Sequence, residues 1–147
     1  MKIAVNKCFG GFGLSPLAKQ EIARRKGKPC YFFTRDMRGN HYIPCALDEA
    51  KDAYIVFTYT VPNPQDYRLD ERDEDGLWKG ANARSESISI DFGERTDPDV
   101  IAVIEELGAK ASDKYARIEI VEIPDGVDWE IDEYDGVETV HEKHRSW

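Results

Sequence analysis

Met1-Lys2-Ile3-Ala4-Val5-Asn6-Lys7-Cys8-Phe9-Gly10-Gly11-Phe12-Gly13-Leu14-Ser15-Pro16 decides how this chain is read. Residues 1–8 read as a short strand. Phe9 to Gly13 follows as a glycine-rich turn flanked by aromatic rings. Ser15 is a good N-cap and Pro16 a good first helical residue, so a helix starts there. It runs to about Lys26, with Gly27 as its left-handed stop. Leu14, Leu17, Ala18 and Ile22 give it only a thin apolar stripe, the mark of a short, half-exposed helix lying on a sheet. A strand that feeds a helix through a glycine turn can aim backbone N–H groups at an anion.

Outward from this unit the pattern is mostly strand. Cys30 to Thr34 and His41 to Cys45 read as strands flanking a turn at Arg38-Gly39-Asn40, and Ala46 to Asp52 can hold one helical turn. Tyr54 to Val61 is almost wholly β-branched or aromatic, which predicts a central strand covered on both faces. Residues 65–86 carry Asp70, Glu71, Asp73, Glu74 and Asp75 with few apolar anchors, and read as a polar loop insertion. Ser87 to Phe92 alternates as a half-buried strand. Thr96 caps a helix whose apolar face is Val100, Val103, Ile104 and Leu107, with Asp99 reaching back and Gly108 as the stop. Arg117 to Ile123 and Val127 to Ile131 are strands, the second with an acidic outer face. Asp135-Gly136 is a favourable hairpin pair, so Val137 to His141 reads as a returning strand, with a short helix as the alternative. The expected core joins Ile88, Ile90, Phe92, Val100, Val103, Ile104, Leu107, Ile118, Ile120, Trp129 and Ile131. The fold class is α+β: a mixed, mainly antiparallel sheet with two helices packed on it, in one domain over residues 1–147.

Composition narrows the function. A 147-residue chain can bury one core without staples, and 41% apolar residues are too many for a disordered chain. No apolar run approaches the roughly 18 residues that span a bilayer, and the N-terminus lacks the apolar stretch of a signal peptide. Cys8, Cys30 and Cys45 match no zinc spacing and read as free thiols in a reducing cytoplasm, Cys8 and Cys45 as buried structural cysteines. A net charge of −9 argues against a nucleic-acid partner and fits either solubility or docking to a basic protein surface. The dense basic cluster is Arg24, Arg25, Lys26 and Lys28.

Two stretches carry a resemblance. The first is residues 1–15. The second runs from Arg95-Thr96-Asp97-Pro98 through Val103-Ile104-Glu105-Glu106-Leu107-Gly108 and Val121-Glu122-Ile123-Pro124-Asp125-Gly126-Val127-Asp128-Trp129-Glu130-Ile131. It continues at Glu133-Tyr134-Asp135-Gly136 and closes on His141-Glu142-Lys143-His144-Arg145-Ser146-Trp147. Together they resemble small accessory proteins of tailed phages and prophages. The resemblance implies a setting, the host cytoplasm, and an inhibitor or sponge acting against host defence. It implies no site residues.

The residues themselves offer one ligand-binding candidate. Gly10, Gly11 and Gly13 lack the spacing of a P-loop or a dinucleotide fingerprint, so the turn is either a tight strand-to-helix connection or an anion contact. In the second reading Lys7, Arg24 and Arg25 supply charge, Ser15 and the helix start supply donors, and Phe9 or Phe12 stacks on a base. This turn would then line the principal concave site. His141-x-x-His144, with Asp135 or Glu133 as a third ligand, resembles a metal set only weakly and reads as a solvent-facing tail. Trp78 and Trp147 are the exposed-aromatic candidates. No catalytic residue, metal ligand or cofactor is assigned. The sequence therefore points to a non-enzymatic, homo-oligomeric protein that binds a nucleotide-like small molecule or a host protein. The alternatives are a small nucleotide-processing hydrolase and a structural component of the virion or its assembly.

Overall fold

A computed structural model describes residues 1–36, 41–53, 55–60, 62 and 95–143. The chain is α+β and forms two compact units, one from Met1–Ala18 with Ile90–Trp147, the other from Lys19–Ser89. In chain order the elements are β1 (Lys2–Asn6), α1 (Pro16–Arg25), β2 (Tyr31–Asp36), β3 (His41–Cys45), α2 (Leu47–Ala50) and β4 (Phe57–Tyr59). They continue with α3 (Pro98–Leu107), a 3₁₀ turn (Gly108–Ala111), β5 (Ile118–Glu122), β6 (Trp129–Tyr134) and β7 (Val137–Glu142). No helix among the described residues is long and apolar enough to cross a membrane.

In the first unit β1 pairs antiparallel with β5, from Lys2↔Glu122 to Asn6↔Ile118. Ile3, Ala4, Val5 and Asn6 are all buried. Consecutive strand residues point to opposite faces, so β1 is covered on both. α3 packs on β1 and β5 through Val100, Ile101, Val103 and Ile104. Burial of side chains such as Ile3 and Val103 contributes about 1.5–3 kcal/mol each. The β6–β7 hairpin runs from Trp129↔Glu142 to Tyr134↔Val137. Its turn puts Asp135 at φ 52° and Gly136 at φ 89°, the two positive values a type I′ turn requires.

A buried polar cluster fastens this hairpin to β1. The Asn6 amide donates to Glu138 Oε1 at 2.8 Å. The Arg95 guanidinium grips the same carboxylate with two nitrogens, at 2.6 and 3.0 Å. Arg95 also donates to the Ala4 carbonyl at 3.2 Å, and its own carbonyl accepts from the Ala4 N–H at 2.8 Å. Glu138 is 6% exposed. At that depth a carboxylate is tolerated only because cationic and N–H donors surround it.

The second unit carries an antiparallel sheet in the order β3-β2-β4. Phe33, Tyr42 and Tyr59 form its core, with Phe57 against them. The Tyr42 ring meets those of Phe57 and Tyr59 edge-on, each at 5.3 Å between centroids, a favoured aromatic geometry. The Tyr42 and Tyr59 hydroxyls share a 2.8 Å hydrogen bond, so neither polar tip is stranded. α1 closes with Gly27 at φ 68°. The Lys28 N–H reaches the Ala23 carbonyl and the Gly27 N–H reaches Arg24, a Schellman ending. Cys8, Cys30 and Cys45 are free thiols, each half-buried. Burial pushes the Cys30 thiol up to about 11 and the Cys45 thiol up as well, which makes both poor nucleophiles at neutral pH.

Several expectations change in detail. Asp97, not Thr96, caps α3, because its carboxylate accepts from the Asp99 N–H at 2.8 Å with Pro98 as the first helical residue. Within Tyr54 to Val61, strand is seen at Phe57–Tyr59, and among the described residues β2 rather than β4 lies between two neighbours. Thr58 and Tyr59 are nonetheless both buried, so both faces of β4 are covered. Of the expected core, Val100, Val103, Ile104 and Ile118 are buried, while Leu107, Ile120, Trp129 and Ile131 are half-buried. Ile88, Ile90, Phe92 and the 65–86 insertion lie outside the described residues.

Glu138→Ala leaves Arg95 charged and partly buried without its bidentate partner. Loss of one member of such a pair costs about 3–5 kcal/mol. We expect that loss in urea unfolding followed at the β1 amides. A loss below about 1 kcal/mol would mean that the pair behaves as a solvent-screened surface contact.

Candidate functional site

The glycine turn is shaped by what it touches. Gly10 has φ 118° and Gly11 φ 91°, values that side chains with a Cβ rarely adopt. A Cβ built on Gly136 would lie 2.4 Å from the Gly11 nitrogen and 2.6 Å from the Gly10 nitrogen. The two turn nitrogens therefore abut the β6–β7 turn. A Cβ on Gly10 would fall 2.7 Å from the Tyr115 carbonyl oxygen, and one on Gly13 would collide with the Asp113 carboxylate. Three close approaches account for three glycines.

The side chain of Asn6 ties the same backbones together. Its Nδ2 donates to the Cys8 carbonyl at 2.6 Å and the Gly136 carbonyl at 2.7 Å. Its Oδ1 accepts from the N–H groups of Arg117 at 2.9 Å and Cys8 at 3.3 Å. Both donors and both acceptor positions are thereby used, which a fully buried amide requires.

The other sequence-selected residues are also engaged. Lys7 Nζ donates to the Glu138 carbonyl at 2.9 Å. Ser15 Oγ accepts from the Ala18 N–H at 3.2 Å and donates to the Lys110 carbonyl at 2.6 Å, so the cap serves the helix itself. The Phe12 ring lies under the Arg95 guanidinium, 3.6 Å from its centroid, a cation–π contact that holds the ring inward. Arg24 and Arg25 end α1 in the second unit, and Arg24 pairs with Glu21 at 2.7 Å. An open groove of about 570 Å³ in the first unit is lined by Met1, Lys2, Thr96, Pro98, Ile101, Ala102, Glu105 and Asp125, none of them from the glycine turn. Lys2 and Glu105 face each other across its rim at 2.7 Å, and that carboxylate raises the Lys2 pKa.

What the turn does display is aromatic. Phe9 is 65% exposed, Tyr115 62% and Tyr134 83%. Phe9 adjoins Gly10, which packs on Tyr115, and Tyr134 closes the hairpin whose Gly136 packs on Gly10 and Gly11. Two loops and the end of β6, whose backbones meet around Gly10 and Gly136, thus each carry an exposed large ring. The sequence pointed to Phe9 alone. Tyr115 has no periodic neighbour to mark it, and Tyr134 reads as one more strand residue.

The hairpin also regroups the histidine. Glu130 and Asp132 point outward from β6, and His141 stands opposite Glu130 on β7. His141 Nε2 lies 3.0 Å from Glu130 Oε1 and 3.2 Å from Asp132 Oδ2. The carboxylates beside His141 are therefore Glu130 and Asp132 rather than Asp135 or Glu133. His144, Trp78 and Trp147 lie outside the described residues. Comparison with protein-family profiles, curated proteins and solved structures returns no match.

Packing predicts an order of glycine sensitivities. Gly136→Ala drives a Cβ into two backbone nitrogens at positive φ, and we expect a loss of about 2–4 kcal/mol. Gly11→Ala meets nothing within 4 Å and should cost only the left-handed strain, about 1–2 kcal/mol. Thermal unfolding of the two variants checks this. The reverse order would show that the hairpin does not seat on the turn.

Proposed function

We propose that this chain is a non-catalytic binding protein whose contact surface is the aromatic end formed by Phe9, Tyr115 and Tyr134. The observation that carries the reading is the exposure of three large rings on two loops and a strand end whose backbones pack together. Aromatic anchors of this kind dominate the energy of protein–protein contacts. Rings fixed by a rigid support lose little freedom on binding, which favours affinity. The partner that fits is a protein with an apolar pocket for the rings. A basic rim on that partner would suit the net charge of −9.

Two features weigh against the nucleotide version. The turn nitrogens abut Gly136, and the Asp113 carboxylate sits against Gly13, where an anion would be repelled. The likeness to phage and prophage accessory proteins supplies a setting for the proposal: host cytoplasm, with a host protein as target and interference with host defence as the outcome.

Phe9→Ala/Tyr134→Ala removes two exposed rings and should leave the fold intact. A partner captured from host extract, identified and purified, should bind the parent protein. The double variant should raise the Kd at least about tenfold, or about 1.4 kcal/mol. Equal affinity for parent and variant would overturn the reading. A nucleotide that binds the parent and fails on Phe9→Ala would instead assign the turn to a small-molecule ligand.

A further inference from the structure

We infer that the outward face of the β6–β7 hairpin binds a divalent transition-metal cation, of which Zn²⁺ is the best fit, through Glu130, Asp132 and His141. One ligand atom from each residue falls within 4.8 Å of the other two. For metal–donor bonds of about 2.0–2.2 Å, donors on neighbouring corners of a coordination shell sit about 3.0–3.5 Å apart. His141 Nε2 meets that spacing to both carboxylates, at 3.0 and 3.2 Å.

The electrostatics point the same way. Glu130 and Asp132 bring two negative oxygens to a single ring nitrogen. One N–H can point squarely at only one of them, and the like charges repel. A cation among the three atoms satisfies all of them at once, with the imidazole neutral and donating its lone pair. The next pair along the face is already balanced, because Lys143 Nζ stands 3.7 Å from Asp128.

The scaffold is suited to holding ligands in place. Six antiparallel residue pairs run up to the Asp135-Gly136 turn, and all three ligands sit on strand positions rather than on a loop. Sites built on strands keep their geometry better than sites on loops. The donor set, one imidazole and two carboxylates, suits Zn²⁺ or Mn²⁺ better than Ca²⁺, which takes oxygen ligands alone. Three protein ligands leave at least one position for water or for a donor from a binding partner. This inference rests on the three ligand side chains and not on the exposed rings, of which Tyr134 follows Asp132 on the same face of β6.

The test uses tag-free, full-length protein stripped with chelator. Titration with ZnCl₂ by calorimetry should give one site per chain. His141→Ala and Asp132→Asn should each weaken it at least about tenfold. Asp128→Asn removes the same charge from the same face outside the trio and should change affinity by less than about twofold. Mn²⁺ should broaden the amide signals of residues 130, 132 and 141 before those of β5. Equal weakening by Asp128→Asn and Asp132→Asn would overturn the inference and show a diffuse acidic surface. An absence of binding at millimolar zinc would leave His141 as an ion-pair partner only. All of these side chains are exposed or half-buried, so folding should survive, and circular dichroism of each variant checks that it does.

Discussion

Asn6 is a primary amide with no access to water, and the first unit is arranged around its satisfaction. A buried polar group left unpaired costs about 1–3 kcal/mol. Asn6 avoids that cost by reaching three backbone segments: its own chain at Cys8, the approach to β5 at Arg117, and the hairpin turn at Gly136. Its main-chain N–H adds a fourth tie, to Glu138. Elements far apart in sequence are thus obliged to meet at one residue. Glu138 extends the constraint, since its carboxylate needs Arg95, and Arg95 in turn lies over Phe12.

That chain of requirements explains why the glycine turn is a packed joint. With Asn6 holding Gly136, the hairpin turn comes down on Gly10 and Gly11, and a Cβ on Gly136 has no room there. Two of the donors that a phosphate would use, the Gly10 and Gly11 nitrogens, lie against Gly136. Phe12 is drawn in beneath Arg95 while Phe9 is turned out, so two rings three positions apart have opposite fates. On the proposed reading, function built on this joint consists in presenting side chains: the rings, and a mixed carboxylate–imidazole face along the hairpin.

Local chemistry was legible in the sequence. Ser15-Pro16, Gly27 and Asp135-Gly136 each act within a few residues of themselves, and each does what its type predicts. The Asp97 cap was missed by one position because Thr96 and Asp97 are both capping residues, and only geometry separates them. Long-range partners were not legible. Nothing near Gly10 announces Gly136, and nothing near Arg95 announces Glu138. The histidine is instructive. A spacing of three suggests a shared face only on a helix, and His141 lies on a strand, β7. Alternation did place Asp128, Glu130 and Asp132 on one outer face, but the hairpin register was needed to set His141 across from Glu130.

The account makes Asn6 and Glu138 the fastening between hairpin and sheet, so the two should open together. Native-state hydrogen exchange tests this directly. The Asn6 amide, the β1–β5 ladder amides and the β6–β7 ladder amides should exchange with one common opening free energy, as a single cooperative unit. If the hairpin amides exchange through a separate, lower-energy opening while β1 and β5 stay protected, the fastening is not what holds the unit together, and the account is wrong.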